Sequence, residues 1–369
     1  MASRPLVQDH IAQIQPYVPG KPIEELRRER NLTGEILKMA SNENPLGASP
    51  LGLEAAHRAL SEAHLYPDAR AWALVQRIAA ELHIAPEQLV VGNGSDELMD
   101  LLVRTFGAPG DEGMISAYSF ASYPINLQAA GLKVVTVPTR APLTHDLAAM
   151  GAAVTPKTRL IFVGNPNNPT GTYNPAAEIA AFLRRLSDLP DPPVVALDEA
   201  YFEYADAPDY ASGLPLLASY PRLVVLRTFS KAYGLASLRV GYLATHPELA
   251  SYLHRVRKTF NVNRIAQAAA LAALEDHDFL RRTVELNRVE RARVTGALRA
   301  RGHEAIPSQA NFLLCRFPRP GREVFDALLN LGIITRPVDN YGLQPYLRIS
   351  LGTAPQNDRL LAALDQVLR

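Results

Sequence analysis

Residues 224–242 read VVLRTFSKAYGLASLRVGY, and this stretch decides the fold of the chain. It begins as a short apolar run without helical period, which predicts a strand buried on both faces of a sheet. Ser230 and Lys231 follow where that strand ends, and Arg239 comes eight positions after the lysine. Burial at the mouth of a sheet disfavours the ammonium form and lowers the pKa of a lysine. Lys231 is therefore predicted to supply a neutral amine that can form a Schiff base.

The same arrangement of an apolar run and a polar turn recurs along the chain. Further apolar runs, alternating with helical stretches, end near Gly92, Ala117, Gly164 and Leu197. This alternation predicts a parallel sheet with right-handed crossovers. Ligands bind such sheets at the carboxyl ends of the strands, where Asp198 and Lys231 also fall. A small-molecule site is predicted at that edge.

Composition limits the possible partners. The chain has 369 residues, enough for a large core and two domains, with 38 basic and 37 acidic residues. Because neither sign of charge dominates, nucleic acid and anionic membranes are not expected as partners. The single cysteine, Cys315, lies in an apolar run and is predicted to be a buried hydrophobe. We find no signal-like start and no long apolar run, so a cytoplasmic location is expected, and no metal is expected.

Two strand ends carry chemistry that the residues alone indicate. The turn after the first strand has two glycines and then Ser95, a good N-cap, so the first turn of the following helix offers free N–H groups and the positive end of its dipole to an anion. The third glycine of a dinucleotide fingerprint is absent. Asp198 follows an apolar strand, and a buried aspartate needs a cationic or hydrogen-bonding partner.

These motifs resemble those of the fold-type I pyridoxal phosphate aminotransferases, and in particular the histidinol-phosphate aminotransferase family. The resemblance rests on Ser-Lys-x-x-x-Leu-x-x-Leu-Arg-x-Gly from Ser230, Asn-Pro-Thr-Gly from Asn168, Asn-Glu-Asn-Pro from Asn42 and Leu-Arg-Ile-Ser from Leu347. It implies an α/β fold with a mostly parallel seven-stranded sheet between helices, plus a smaller α+β domain. The expected divisions are an arm at 1–48 that joins the small domain, a large domain at 49–285 and a small domain at 286–369.

The resemblance also implies roles around pyridoxal 5′-phosphate. Lys231 would bind the cofactor aldehyde and carry a proton, Asp198 would pair with the pyridine nitrogen, and Tyr201 would donate to the phenolic oxygen beside Asn168. Phe120 would stack on the ring. The remaining cofactor-binding residues implied are Ser95, Asp96, Glu97, Ser230, Arg239 and, across a homodimer interface, Tyr66.

Substrate-binding roles are implied for a second set of residues. Arg348 would grip the anionic group of the amino donor and of 2-oxoglutarate in turn, in a ping-pong cycle within a shared-site homodimer. The other substrate-binding residues implied are Tyr17, Asn42, Tyr123 and Arg336. The roles of Asn263 and Arg264 stay open.

Other expectations concern elements outside these motifs. Gly332 to Pro337 is expected to be one strand, and the charges of a long helix from Phe279 to Arg301 are expected to face solvent. The prolines and asparagines of residues 165–171 are not demanded by packing.

Three alternatives share the motifs. They are an aromatic amino acid aminotransferase, a threonine-phosphate decarboxylase, and an aminotransferase-like effector module that binds without catalysis. The effector module is the least favoured, because Lys231, Asp198 and Arg239 are all present and the N-terminal arm is too short and proline-rich for a helix-turn-helix segment.

Overall fold

The structure is a computed structural model that describes residues 6–369. The helices are α1 (Asp9–Ala12), α2 (Ile23–Arg30), α3 (Pro50–Ala59), α4 (Trp72–Leu82), α5 (Gly94–Phe106), α6 (Ser122–Ala129), α7 (Leu147–Ala152), α8 (Ala176–Ser187), α9 (Pro247–Val256), α10 (Arg264–Ala273), α11 (His277–Ala300), α12 (Gly321–Asn330) and α13 (Ala354–Val367). Short 3-10 turns include Phe202–Tyr204, Ala236–Leu238 and Asp339–Tyr341.

The strands are β1 (Leu37–Lys38), β2 (Leu89–Gly92), β3 (Glu112–Ser116), β4 (Lys133–Val137), β5 (Thr139–Arg140), β6 (Thr144–His145), β7 (Thr158–Gly164), β8 (Val194–Asp198), β9 (Leu223–Thr228), β10 (Gly241–Thr245), β11 (Glu304–Ala305), β12 (Phe312–Arg316), β13 (Ile333–Ile334), β14 (Arg336–Pro337) and β15 (Tyr346–Ser350). Seven of them form the large sheet, in the order β2-β10-β9-β8-β7-β3-β4. Pairing is parallel except for β10, which is antiparallel to both of its neighbours. The expected mostly parallel α/β fold is confirmed.

Both faces of the large sheet are buried, which explains why its central strands are continuous apolar runs. Along β9, Leu223 and Val225 belong to the hydrophobic cluster on one face, while Val224 and Leu226 belong to the cluster on the other. This period of two is the pleat of a strand with helices packed on each side. The sheet is therefore a rigid platform, and its carboxyl edge is the place where polar residues can project.

A smaller antiparallel sheet is built mainly from the last third of the chain, in the order β11-β12-β15-β14. Its core includes Leu313 and Ile349 together with Leu37 and Met39 from the N-terminal segment. Cys315 is fully buried in this core, as expected. The backbone of Ser350 donates to the carbonyl of Met39, so the N-terminal segment runs beside β15 and brings residues 39–44 to the large sheet.

Three sequence expectations were wrong in detail. Residues 332–337 form two strands in different sheets, because β13 pairs with β1 while β14 pairs with β15. Helix α5 begins at Gly94 with Asn93 in the N-cap position, so Ser95 lies in the first turn rather than capping it. On α11 the charges do not all face solvent: Glu290 is buried and accepts from Asn357 Nδ2 at 2.6 Å.

No helix among the residues described is long and apolar enough to cross a bilayer.

Candidate active site

The carboxyl ends of the large-sheet strands meet in a cavity of about 210 Å³ that the small sheet and the N-terminal segment close. All but two of the residues expected at the site line it. They are Tyr17, Asn42, Ser95, Asp96, Phe120, Tyr123, Asn168, Asp198, Tyr201, Ser230, Lys231, Arg239, Arg336 and Arg348. A cavity of this size suits a small molecule and excludes a polymer from its interior.

Lys231 lies just after β9, in the floor of the cavity. Its Nζ donates to the backbone carbonyl of Ser41 at 3.1 Å and lies 5.8 Å from the centre of the Tyr201 ring. Loss of hydration on burial, with the nearby Arg348 guanidinium as the next cause, lowers the pKa of Lys231 to about 8. A substantial fraction of the amine is therefore neutral near neutral pH, as nucleophilic attack on a carbonyl requires.

Asp198, at the end of β8, is a buried carboxylate whose partners within residues 6–369 are all neutral. Oδ2 accepts from the hydroxyl of Tyr123 at 2.7 Å, and Oδ1 accepts from the backbone N–H of Ala200 at 3.1 Å. Burial raises the pKa of Asp198 to about 6, partly offset by these two hydrogen bonds. A positive group that entered the cavity would restore the charged form, so Asp198 is suited to hold a cation.

Tyr123 lies beneath Asp198. Its ring stacks on Phe162 with centroids 4.9 Å apart and meets Phe120 edge-on at 5.7 Å. The resemblance assigns Tyr123 to the substrate, but its hydroxyl is committed to Asp198 instead. The residue is therefore placed to orient the carboxylate, while Phe120 presents its face to the cavity.

Tyr201 is only 4 % exposed and packs edge-on against Phe312. Its hydroxyl oxygen accepts from Asn42 Nδ2 at 2.9 Å. Burial raises the pKa of Tyr201 to about 12, so its hydroxyl stays protonated at neutral pH. Asn42 was expected at the substrate; the structure places its amide against the tyrosine.

The first turn of α5 and the Ser230 segment form one end of the cavity. Arg239 donates to the Ala236 carbonyl at 3.1 Å, and its Nη2 lies 3.4 Å from Asp96 Oδ2. A side chain at Gly94 would collide with the Arg239 guanidinium, so glycine there lets the arginine reach the helix N-terminus. Hydroxyls, backbone N–H groups and a guanidinium together make an anion-binding set.

Two arginines close the opposite end. Arg336 and Arg348 are register partners on β14 and β15, and each is 8 % exposed. Arg348 donates to Asn168 Oδ1 and to the Ala40 carbonyl, both at 2.6 Å, while its buried Nε has no partner among the described residues. Arg336 donates to the Val18 carbonyl at 2.5 Å and lies over the Tyr17 ring.

Neither arginine forms an ion pair with a carboxylate of residues 6–369. Burial lowers the pKa of Arg348 from its ordinary value. Burying two adjacent guanidiniums without a counter-charge is costly unless an anion binds there. Both arginines are buried, so neither is a solvated residue at a sheet edge.

The loop of residues 165–171 has a partly structural explanation, contrary to expectation. Asn165 accepts from the backbone N–H of Asn174 at 2.8 Å, and Asn167 donates to the Tyr118 carbonyl at 2.9 Å. Both are buried and hold the loop, whereas Asn168 lines the cavity together with Pro166.

Two expected residues lie outside the cavity. Glu97 turns away and accepts from the Asn93 backbone N–H at 2.6 Å and from Asn261 Nδ2 at 2.7 Å. Tyr66 is 77 % exposed and stacks on Phe260, with centroids 4.6 Å apart. The turn before Pro67 projects the tyrosine away from the cavity of its own chain.

One further contact at the site was not predictable from local sequence patterns. Ser350 and Asn42 exchange hydrogen bonds at 2.8 and 2.9 Å, although 308 positions separate them in the chain. The only signal was that Ser350 shares a strand face with Arg348, two residues before it.

The profile of the family described as "Aminotransferase class I and II" matches residues 34–364. The chain is 47% identical over 365 residues to a histidinol-phosphate aminotransferase of Anaeromyxobacter sp. (strain Fw109-5), covering 99% of both chains. It is 49% identical over 358 residues to histidinol-phosphate aminotransferase 2 of Methylococcus capsulatus, covering 96% of this chain and 95% of that one.

A similar solved structure is histidinol-phosphate aminotransferase from Sinorhizobium meliloti in complex with pyridoxal-5′-phosphate. Its TM-score is 0.89 at 30% sequence identity, and the match covers 100% of this chain and 99% of that one.

Proposed function

This chain belongs to the class I and II aminotransferase family, and from that premise we propose that it moves an amino group between L-histidinol phosphate and 2-oxoglutarate. The cofactor is pyridoxal 5′-phosphate, and the two substrates use one site in turn. The observation that carries this choice is the buried pair Arg336 and Arg348, which has no carboxylate partner in residues 6–369. Such a pair suits a phosphate or a carboxylate, the groups that the two substrates bring.

The cavity fits the cofactor at each of its polar ends. Ser95, the first turn of α5, Ser230 and Arg239 would hold the phosphate, since they are donors at one end of the cavity. Asp198 would hold the protonated pyridine nitrogen, and Lys231 the aldehyde. Asn168 and Tyr201 would hold the phenolic oxygen, with Phe120 against the ring. When bound, the cofactor supplies an electron sink that stabilises negative charge on the substrate carbon.

The residues of the chain supply binding and proton transfer. Lys231 holds or releases a proton at Nζ, because its lowered pKa lets both forms exist near neutral pH. Asp198 supplies a fixed negative charge, which a cationic partner would stabilise in the buried site. Tyr201 donates a hydrogen bond from a hydroxyl that stays protonated.

At the substrate end, Arg348 would make the main contact with the anionic group of each substrate. Its Nη1 contact with Asn168 joins the arginine to the loop that would face the cofactor. Arg336 lies beside the exposed Tyr17 and would meet the phosphate of the longer substrate. One pocket could thereby accept both a phosphorylated amine and a dicarboxylate.

We also propose a homodimer with shared sites, because the exposed ring of Tyr66 has no role in its own cavity. The division into an arm at 1–48, a large domain at 49–285 and a small domain at 286–369 is supported by the shared core of Leu37, Met39 and Ile349. The cytoplasmic location stays a prediction.

The test is a single-turnover half-reaction. Cofactor-loaded protein is mixed with histidinol phosphate, phenylalanine or threonine phosphate in the absence of any oxo acid, and the visible absorbance of the cofactor is followed. We expect the fastest loss with histidinol phosphate and recovery of the absorbance on addition of 2-oxoglutarate. A faster loss with phenylalanine, or carbon dioxide release from threonine phosphate, would replace the proposal by one of those activities.

A further inference from the structure

Resting on the function proposed above, we infer that Ser350 and Asn42 are positioning residues that fix the direction in which Tyr201 donates its hydroxyl proton. Neither residue reacts in this account. They act through hydrogen bonds that decide whether the tyrosine donates toward the cavity or back into the protein.

The first step is the hydroxyl of Ser350. Its Oγ accepts from the backbone N–H of Asn42 at 2.8 Å, so its own proton must go to another acceptor. The acceptor within reach is Asn42 Oδ1, at 2.9 Å. Ser350 is 5 % exposed, and its hydroxyl has no other partner among the described residues. The serine therefore holds Asn42 Oδ1 toward its own hydroxyl.

The second step is the amide of Asn42. With Oδ1 held by Ser350, Nδ2 must face Tyr201, and it donates to the tyrosine oxygen at 2.9 Å. The opposite orientation of the amide would give Ser350 Oγ two N–H donors and leave its proton without an acceptor, which is unfavourable in a buried site. The observed orientation is the one that gives the Ser350 proton an acceptor.

The backbone of Asn42 holds the amide in place. Residue 42 has φ of 56°, in the left-handed region that asparagine tolerates better than most residues. Its carbonyl accepts from Asn311 Nδ2 at 3.0 Å, and the residue is 1 % exposed. These contacts hold the backbone of residue 42, so the position of the side-chain amide is set and its orientation depends on Ser350 and Tyr201.

The third step is the consequence for Tyr201. Its oxygen accepts a hydrogen bond from Asn42, so its own proton is free to be donated elsewhere. Tyr201 lines the cavity together with Lys231, and no acceptor from the described residues takes that proton. The hydroxyl is therefore set as a donor toward whatever oxyanion the cavity holds.

Ser350 also lies on the strand that carries Arg348. These two residues share one face of β15, and both form hydrogen bonds with residues 40–42. Arg348 donates to the Ala40 carbonyl, and Ser350 accepts from the Asn42 backbone N–H. Contacts between β15 and residues 40–42 therefore position both Arg348, which would bind the substrate anion, and the Asn42 amide that orients Tyr201.

The principal test follows the pH midpoint of the cofactor absorbance in the loaded protein. A donor to an oxyanion stabilises the form that lacks a proton, so weakening that donor raises the midpoint. Ser350→Ala releases the Asn42 amide, and we expect the midpoint to rise by about one pH unit, the scale set by one hydrogen bond to a charged group. Ser350→Thr keeps the hydroxyl and should stay within about 0.3 unit of the unaltered protein.

Other charged and titratable groups face this pair and must be unchanged for the comparison to hold. Those nearest Tyr201 and Lys231 are Arg348, Asp198, Tyr17, Arg239, Glu43 and Asp96. Among the described residues none of them contacts the Ser350 hydroxyl, so the alanine variant leaves their direct contacts in place.

A double-variant cycle separates orientation of Tyr201 from general disturbance. In a Tyr201→Phe background the serine has no hydroxyl to orient, so adding Ser350→Ala should move the midpoint by less than about 0.2 unit. Thr245→Val is the control, since the Thr245 hydroxyl is also buried and bonds the Leu223 carbonyl at 2.7 Å, at the start of β9 and so at the edge of the large sheet opposite the cavity. It should leave the midpoint unchanged.

A second readout does not need the cofactor. In cofactor-free protein carrying ¹³Cζ-labelled tyrosine, the Tyr201 resonance, identified by its loss in Tyr201→Phe, should shift in Ser350→Ala and not in Thr245→Val. The inference is overturned by an unchanged midpoint in Ser350→Ala, by an equal rise in the threonine variant, or by the same rise in the phenylalanine background. Failure to bind pyridoxal 5′-phosphate at all would instead refute the proposed function.

Discussion

Asp198 and Glu199 are adjacent in sequence and both buried, yet their surroundings differ completely. Glu199 accepts from Arg227 at 2.7 Å, from Ser212 at 2.8 Å and from the Gly213 backbone N–H at 2.6 Å. In the part of the chain that the structure describes, Asp198 has only the neutral donors Tyr123 and Ala200. A buried charge whose partners are all present serves the fold, whereas one that lacks a counter-charge is available to a ligand.

Arg227 and Arg348 differ in the same way, one with a charged partner in the protein and the other with neutral partners. Arg227 has Glu199 and lies over the Phe202 ring at 3.5 Å, so its charge is satisfied within the protein. Arg348 has two neutral acceptors and an unpartnered Nε. We therefore expect the Glu199–Arg227 ion pair to control the stability of the fold, and Asp198 and Arg348 to control activity.

The largest expected effect is the loss of stability when the buried ion pair of Glu199 and Arg227 is broken. Glu199→Ala leaves the Arg227 guanidinium buried without a counter-charge and should lower the free energy of unfolding by about 3 to 5 kcal/mol. Urea unfolding of the cofactor-free protein measures it. Glu285→Gln, which removes an exposed pair with Arg288, is the control and should cost less than about 1 kcal/mol. Equal costs for the two variants would contradict the contrast.

The next effect is on catalysis. Asp198→Asn should retain the cofactor but slow the half-reaction at least about 100-fold, as removal of a preorganised electrostatic contact does. Rapid-mixing absorbance with histidinol phosphate measures this rate. Near-normal turnover would remove Asp198 from its proposed role.

A smaller loss is expected at the substrate end. Arg348→Ala should lower kcat/KM of both half-reactions at least about tenfold, and Arg348→Lys should recover only part because an ammonium lacks the planar fork. Arg336→Ala should affect histidinol phosphate more than 2-oxoglutarate. If Arg348→Ala left both half-reactions unchanged, the anion site proposed for this pair would be wrong.

The smallest expected effect is a change in how the free energy of unfolding of the cofactor-free protein depends on pH. The folded pKa of Asp198, about 6, lies above the unfolded value, so the folded state binds more protons between about pH 4 and 6. Stability should therefore fall as pH rises through this window, by up to roughly 1 kcal/mol per pH unit, and Asp198→Asn should flatten that part of the curve. An unaltered slope in the variant would show that other groups produce it.

These expectations also show what the sequence could provide. The buried strands and the polar residues at their ends were predictable, because continuous apolar runs and turn residues are local signals. Lys231, Asp198 and Arg348 followed from motifs of a few residues each. The antiparallel direction of β10 was not foreseen, since it depends on pairing with both β2 and β9.

The missed features all depend on distant partners. The division of residues 332–337 between two sheets arises from β1, about 300 positions away. The family resemblance implied a substrate role for Tyr123, and only the fold shows that its hydroxyl meets Asp198. Likewise, nothing near Ser350 in sequence indicates Asn42. Local patterns predict elements and reactive groups, while the hydrogen bonds that orient those groups require the fold.

The most direct test of the central claim is to find which of the six lysines carries the cofactor. Protein loaded with pyridoxal 5′-phosphate is reduced with borohydride, digested and mapped by mass spectrometry. The account predicts a label on Lys231 alone, because it is the lysine whose buried, weakly basic amine lines the cavity. A label on Lys157, Lys258 or any other lysine, with Lys231 unmodified, would contradict it.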